Sequence, residues 1–205
     1  MNIIFDLDGT LIDSSERMYQ LFQKLVQESD LTKEEYWNLK RNKVSHHMIL
    51  EKYFPQYNYD MFNKNWLNLI EQNEYLDMDC NYTDTNEVLS QLSKFHNLIL
   101  LTARQSKNGL YRELNRLGLI HFFSVILVTE AKIPKDKMLY YLEIDRTKGD
   151  LFVSDMGEDI VIGQKYGYRT VAMTHGFMNR DIILKYNPDI ILDSLTELAQ
   201  RYGEY

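Results

Sequence analysis

A single cysteine, Cys80, occurs in 205 residues. An internal disulfide is therefore excluded, and no base stands near Cys80 in sequence to make its thiol a nucleophile. Positive charge is also short: 23 Lys and Arg face 30 Asp and Glu, for a formal net charge of -7. That balance argues against nucleic-acid partners and anionic membranes, which reward clustered cations, and favours a small or metal-bridged substrate. Apolar runs are brief, with stretches such as Leu98 to Leu101 among the longest, far below the ~18 residues of a membrane span. The first residues carry neither a basic leader nor the apolar stretch of a signal peptide, so a cytoplasmic location is expected. The sequence has no internal repeat and no low-complexity tract; Asn and Tyr are plentiful but scattered.

Hydrophobic residues make up 44% of the chain, enough to bury a core in one sizeable domain, or in one domain with a small insert. Short apolar runs bounded by turn residues recur at Asn2 to Phe5, Asn97 to Leu101, Ser124 to Val128, Asp150 to Val153, Arg169 to Met173 and Asp189 to Leu192. They read as buried parallel strands. Helical spacing fills the intervals: Val88, Leu92 and Phe95; Leu110, Leu114 and Leu117; Met138, Leu139 and Leu142; Ile160, Val161 and Gln164 to Tyr166. Strand alternating with helix predicts an α/β fold, a Rossmann-like doubly wound parallel sheet. Residues 15–80 break the rhythm, because they separate the first strand from the second by more than a crossover helix needs. Met18, Leu21, Phe22, Leu25 and Val26 fall there at helical spacing, and Phe62, Trp66, Leu69 and Ile70 repeat the stripe. The expectation is an α/β core of residues 1–14 and 81–205 with a small α-helical domain, 15–80, inserted in it. Pro55 breaks two of the inserted helices apart.

Ile3, Ile4 and Phe5 deliver Asp6 and Asp8 to the carboxyl edge of the first strand, the edge at which ligands bind in open α/β sheets. Two carboxylates two residues apart repel each other, and keeping both ionised beside a buried strand is costly unless a cation sits between them. Mg2+, a hard ion that takes oxygen ligands and keeps waters and substrate phosphate, answers that need, while Gly9 lets the backbone turn sharply. A lone Asp after a strand is most often a cap. The stretch Asp6-Leu7-Asp8-Gly9-Thr10-Leu11 after an N-terminal apolar strand closely resembles the first motif of the haloacid dehalogenase superfamily. The likeness extends over the whole chain, in the layout of the phosphoglycolate phosphatase-like branch with a helical cap inserted after the first strand.

The resemblance implies that Asp6 is a nucleophile forming an aspartyl-phosphate, and that Asp8 protonates the leaving oxygen and then activates water. It makes Thr102, after Leu98-Ile99-Leu100-Leu101, the hydroxyl that binds the transferring phosphoryl group, with Ala103 and Arg104 beside it as substrate-binding positions. Read alone, Thr102 caps a helix starting near Ser106, and Arg104, able to clamp a phosphate bidentately, is as readily a surface side chain. The family's lysine has three candidates. Its Lys-Pro-x-Pro pattern, counted back from Leu139 and Leu142, aligns with Lys132, although Ile133 stands where the first Pro belongs. A shorter motif with the Lys at the helix start selects Lys135, and Lys137 fits neither register. Lys132 ranks first and Lys135 second. Leu151 to Ile160 resembles the acidic motif: Asp155 is implied as a Mg2+ ligand together with Asp6 and the Asp8 backbone carbonyl, and Asp159 as a support for the metal's waters or for the lysine. Glu158 matches less well and reads as an acid at a helix start. Ser154 and Met156 replace the usual Gly and Ser, and Gly167 and Gly176 match family turns.

The implied activity is that of a Mg2+-dependent phosphatase acting on a small-molecule phosphate monoester, as a monomer or homodimer. The cap would exclude water and set specificity. Its Lys40, Arg41, Lys43, His46 and His47 either read a substrate acid or second phosphate or form a solvated helix face. Neighbouring His46 and His47 point about 100° apart on a helix, which is poor metal-ligand spacing. Trp37, Tyr53 and Trp66 are expected in the cap's core and rim. A dehalogenase is disfavoured, since that branch lacks an acid at the position of Asp8. A phosphomutase of the superfamily keeps that acid, phosphonate cleavage would need a Schiff-base lysine such as Lys40 or Lys43, and a non-catalytic phosphate-binding regulator would usually have lost a catalytic acid that this chain retains.

Overall fold

The computed structural model describes residues 1–145, 147 and 149–203. Eight strands are present among them: β1 Asn2–Phe5, β2 Ile12–Asp13, β3 Cys80–Asn81, β4 Asn97–Thr102, β5 Val125–Val128, β6 Leu151–Ser154, β7 Arg169–Met173 and β8 Ile190–Leu192. Six of them form one sheet in the order β5-β4-β1-β6-β7-β8, every pair parallel. Ile3, Ile4 and Phe5 are fully buried because the sheet is covered on both faces. Ile3 and Phe5 join Leu98, Leu100, Leu151 and Val153 on one face, whereas Ile4 joins Ile99, Leu101 and Phe152 on the other. This is the period-two alternation of a strand between two helical layers. With β4 on one flank of β1 and β6 on the other, the strand order switches direction at β1, and the crevice beyond its carboxyl end is where such sheets bind ligands.

The helices are α1 Ser15–Leu25, α2 Lys33–Arg41, α3 His46–Tyr53, α4 Tyr59–Leu69, α5 Asn73–Leu76, α6 Thr85–Leu92, α7 Lys107–Arg116, α8 Lys135–Tyr141, α9 Gly157–Lys165, α10 Arg180–Ile183 and α11 Leu195–Tyr202. Phe95 and Leu142, placed on helices by their spacing, lie beyond the ends of α6 and α8, and Phe95 is largely exposed. The chain leaves the core through β2 and returns through β3, an antiparallel ribbon in which Ile12 pairs with Asn81 and Asp13 with Cys80. Between them α1 to α5 enclose a separate apolar cluster that includes Leu21, Phe22, Tyr36, Ile49, Leu50, Phe62 and Trp66. Local chemistry starts these helices where they begin. Thr32 and Glu35 form a capping box for α2, Ser45 accepts from Met48 N and Asn58 from Met61 N, each worth about 1 kcal/mol. Pro55 follows the end of α3. Trp37, expected in or around the cap's own core, instead packs edge-on against Phe177 of the α/β core at 5.0 Å between centroids, because Tyr36 occupies the buried face of α2.

Polar contacts tie the end of α2 to the segment after β7. Arg41 donates to Thr174 O at 2.5 Å, Asn179 N donates to Arg41 O at 3.0 Å, and Asn179 Nδ2 donates to Asn42 Oδ1 at 2.8 Å. At the opposite side Glu71 accepts from Gln105 N and Ser106 N, both at 2.8 Å. The cap is thus latched to the core on both sides of the strand edge. Among the described residues no helix is long and apolar enough to cross a membrane.

Candidate active site

The sheet register carries on one residue past β1, where Asp6 N donates to Val153 O at 3.0 Å. Gly9 then turns the chain with φ +78°, and a Cβ on it would come within 2.2 Å of Asp155 Oδ2, so both the conformation and the space require glycine. The turn lowers Thr10 onto the end of β6: Thr10 Oγ1 donates to Asp155 Oδ1 at 2.9 Å and accepts from Asp155 N at 3.1 Å. Phe177 N donates to Asp155 Oδ2 at 2.6 Å, and a Cβ on Gly176 would meet that same oxygen at 2.3 Å. Asp155, fully buried, is pinched between two glycines.

Lys135 occupies the first position of α8. Its Nζ donates to Asp6 Oδ1 and to Asp159 Oδ2, each at 2.7 Å, and Ser154 Oγ adds a 2.8 Å bond to Asp159 Oδ2. Lys132, ranked first from the sequence, is on the outside: its side chain is 73% exposed and its ammonium lies 3.6 Å from Glu130. The reason is the loop before α8, where Glu130 and Ala131 both take left-handed φ and turn the chain so that the helix start, not the loop, faces Asp6. Lys137 makes neither contact. Asp159 therefore braces the lysine, and Glu158 pairs with Lys43 of the cap. Thr102 ends β4, 1% exposed. Asp6, Asp8, Thr102, Ala103 and Lys135 line a cavity of about 400 Å3 with Met156 and Phe177. A larger hollow of about 580 Å3 between α4, α5 and α7 contains none of these acids.

Arg104 is not poised for a free phosphate. It is 4% exposed, and its Nε and Nη2 donate to Asp8 at 2.6 and 2.9 Å. Nη2 also lies 3.1 Å from Asp79 and 3.0 Å from Glu113. Arg17, which no motif flags, bonds Asp8 from the other side and reaches Asp79 at 3.3 Å. Burial alone would raise the Asp8 carboxyl, but Arg104 and Arg17 outweigh it and hold the group well below the usual carboxylate range. Burial pushes Asp79 up to about 9, with Arg17 pulling against it. Arg17, Asp79 and Glu113 have no sequence spacing that points to the site; the packing of α1 and α7 and the segment between α5 and β3 bring them to it.

The carboxylates around Lys135 show the opposite balance. Burial pushes Asp6 up to about 7, with Lys135 the main opposing influence. Asp155 is pushed up to about 8 by burial and then by the charge of Asp6. Lys135 thus serves Asp6 and Asp159 but not Asp155, and the carboxylate oxygens are hard donors that suit a divalent cation such as Mg2+. Among the described residues no three His, Cys, Asp or Glu side chains form a ready metal cage. Asp6 and Asp155 are the carboxylates that could hold such an ion, a sparse set suited to one that keeps several waters. The pair His46 and His47 offers no such site: His46 stacks among Phe22, Tyr36, Phe62 and Trp66, and His47 stands beside Glu51.

A parallel sheet with an acid-lined crevice at its switch point and a helical insert after the first strand defines a class, and sequence comparison agrees. Residues 3–173 match the haloacid dehalogenase-like hydrolase family, and the chain belongs to that family of hydrolases. Among curated relatives it is 26% identical to pyrophosphatase PpaX of Bacillus mycoides (strain KBAB4) over 212 residues, covering 96% of this chain and 94% of the relative. It is 24% identical to the PpaX of Oceanobacillus iheyensis, covering 98% and 96%. Among solved structures, a haloacid dehalogenase-like family protein from Streptococcus pneumoniae shares the fold with a TM-score of 0.77 at 20% identity, covering 98% and 97%. YfnB from Bacillus subtilis, a HAD-family protein solved bound to magnesium, gives 0.70 at 19%, covering 99% and 98%.

Proposed function

We propose that this chain is a Mg2+-dependent phosphatase in which Asp6 attacks the phosphorus of a small phosphate compound and becomes transiently phosphorylated. The observation that carries the reading is the Asp6 carboxylate fixed at 2.7 Å by Lys135 while Asp155 faces it without a cation of its own. Held in this way, one Asp6 oxygen is anchored and the other is left to attack. Thr102 and Ala103 close the cavity wall where the transferring oxygens would lie, and Lys135 offsets charge as Asp6 meets the phosphoryl group. Mg2+ held by Asp6, Asp155 and the Asp8 carbonyl would neutralise the phosphate and orient it. Asp8, kept ionised by Arg17 and Arg104, is in the wrong state to protonate a leaving oxygen; as a carboxylate held so low it is a weak base, and its role toward the water that attacks the phosphorylated Asp6 is mainly to orient it.

The charge state of Asp8 bears on the substrate. A leaving phosphate is far less basic than a leaving alkoxide and needs less help from an acid, so the clamped Asp8 favours an anhydride such as pyrophosphate, the substrate class in the name of the PpaX relatives, over a simple alkyl monoester. Phosphate release from pyrophosphate, aryl phosphates and alkyl monoesters, with Mg2+ and with EDTA, tests both parts. Metal-dependent turnover led by the anhydride is expected. Substantial turnover by Asp6→Asn would refute the nucleophile, and a clear preference for alkyl monoesters would refute the substrate reading.

A further inference from the structure

The five basic residues between positions 40 and 47 of the cap separate once their partners are seen. Arg41 is spent on Thr174 O, Lys43 on Glu158 and Tyr186, His46 on Tyr36 Oη at 2.8 Å, and His47 lies outside beside Glu51. Lys40 is different. It is half-buried, no carboxylate lies within ion-pair reach of it among the described residues, and its ammonium has only a long 3.4 Å bond to Val44 O. It lines a cavity of about 370 Å3 whose other walls include Met18, Val44, Met156, Phe177 and Met178. Met156 and Phe177 also line the cavity over Asp6 and Lys135, so the two spaces meet at that pair of side chains. A cation in a mostly apolar wall without a counter-ion is costly unless a ligand supplies one. Burial lowers the Lys40 ammonium to about 8, which leaves it mostly charged at neutral pH.

We propose that Lys40 reads a second anionic group of the substrate: the phosphoryl group sits at Asp6, the body of the molecule crosses Met156 and Phe177, and a carboxylate or second phosphate meets Lys40 Nζ. This rests on Asp6 marking the phosphoryl end, and it narrows the substrate to compounds carrying two anions. It also assigns Lys43 a separate task, since its bonds to Glu158 and Tyr186 hold the cap over the same cavity.

The test is a length series of ω-carboxyalkyl phosphates and α,ω-bisphosphates, compared with alkyl phosphates of equal length, with p-nitrophenyl phosphate and with pyrophosphate, which has no body to span the two cavities. One charge-assisted hydrogen bond in a dry site predicts a preference of about tenfold to a hundredfold in kcat/KM for the two-anion compounds, mostly through KM. Lys40→Met should collapse that preference and Lys40→Arg should retain much of it; whether the carboxylate or the phosphate arm leads identifies the second anion. A wild-type enzyme indifferent to the second anion, or a Lys40→Met variant that keeps the preference, overturns the proposal. Binding of the matching non-hydrolysable ω-carboxyalkyl phosphonates to Asp6→Asn, with and without Lys40→Met, is followed calorimetrically. That arm judges Lys40 even where turnover fails: loss of affinity in the double variant supports it, and equal affinity refutes it. Absence of metal-dependent turnover from every compound counts against the Asp6 reading alone.

Discussion

Two charged clusters lie side by side at the end of β1, and they are built on opposite principles. Around Lys135, Asp6 and Asp159 share a single ammonium, and Asp155, buried beside Asp6, has no cation within ion-pair reach among the described residues. Around Asp8, two buried guanidinium groups meet three carboxyls, one of which, Asp79, burial pushes up to about 9. The second cluster sets two guanidinium groups against its three carboxyls, whereas the first has one ammonium, and burial pushes both Asp6 and Asp155 up. Removing one partner from a well-paired buried cluster strands a charge, whereas removing a carboxylate from an overcrowded one relieves repulsion. The place where the protein leaves a carboxylate without a cation is the place where a ligand has most to contribute.

The sharpest way to break this contrast is Asp6→Asn. Activity should fall by at least about 10^4-fold, while stability in EDTA, followed by urea unfolding, should stay level or rise. A large loss of stability would mean that the two clusters are alike. Glu113→Ala on the other side should cost roughly 3–5 kcal/mol in the same experiment, because Arg104 loses a buried partner; a change below about 1 kcal/mol would show that the cluster is wetter than its burial indicates. Lys135→Ala should lower kcat/KM by about 10^2–10^3-fold, against less than a twofold change for the exposed Lys132→Ala, and equal effects would return Lys132 to the site. The smallest effect belongs to the cap. His46 is held well below 6.5 by burial and then by Lys40, so the unfolded chain takes up a proton below pH 6.5 that the folded chain refuses. This contribution is intact above pH 6.5, and stability should fall as the pH drops from there toward the folded value, by at most ~1.4 kcal/mol per pH unit. His46→Phe should remove that part of the slope, and an unchanged slope would place the titration elsewhere.

Strands with two buried faces write themselves as short apolar runs, so all six members of the main sheet were legible within a residue or so, as was the helical character of the insert. The β2–β3 ribbon was not, because two residues per strand carry no period. Asp6, Thr102 and Asp155 were legible because each ends a strand at the same edge, whatever roles later tests assign them. Which lysine reaches Asp6 was not legible for a local reason: two non-glycine residues in left-handed conformation, Glu130 and Ala131, change where the helix start points, and residue type alone does not announce them. The partners of Arg104 were not legible, since Asp8 and Asp79 lie 96 and 25 residues away: the pairing of β1 with β4 brings Asp8 to it, and the chain's return toward β3 brings Asp79.

The pinch on Asp155 has a consequence for how this protein fails. Its two oxygens are held by Thr10, 145 positions distant in sequence, and by Phe177, 22 positions distant, with Gly9 and Gly176 leaving no slack between them. Three separate stretches must therefore arrive together before the carboxylate is set, and a small displacement of any one of them misplaces it. Catalytic competence should then be lost before bulk helicity on gentle heating, so that residual activity reports the seam between β1, β6 and β7 more sensitively than circular dichroism does.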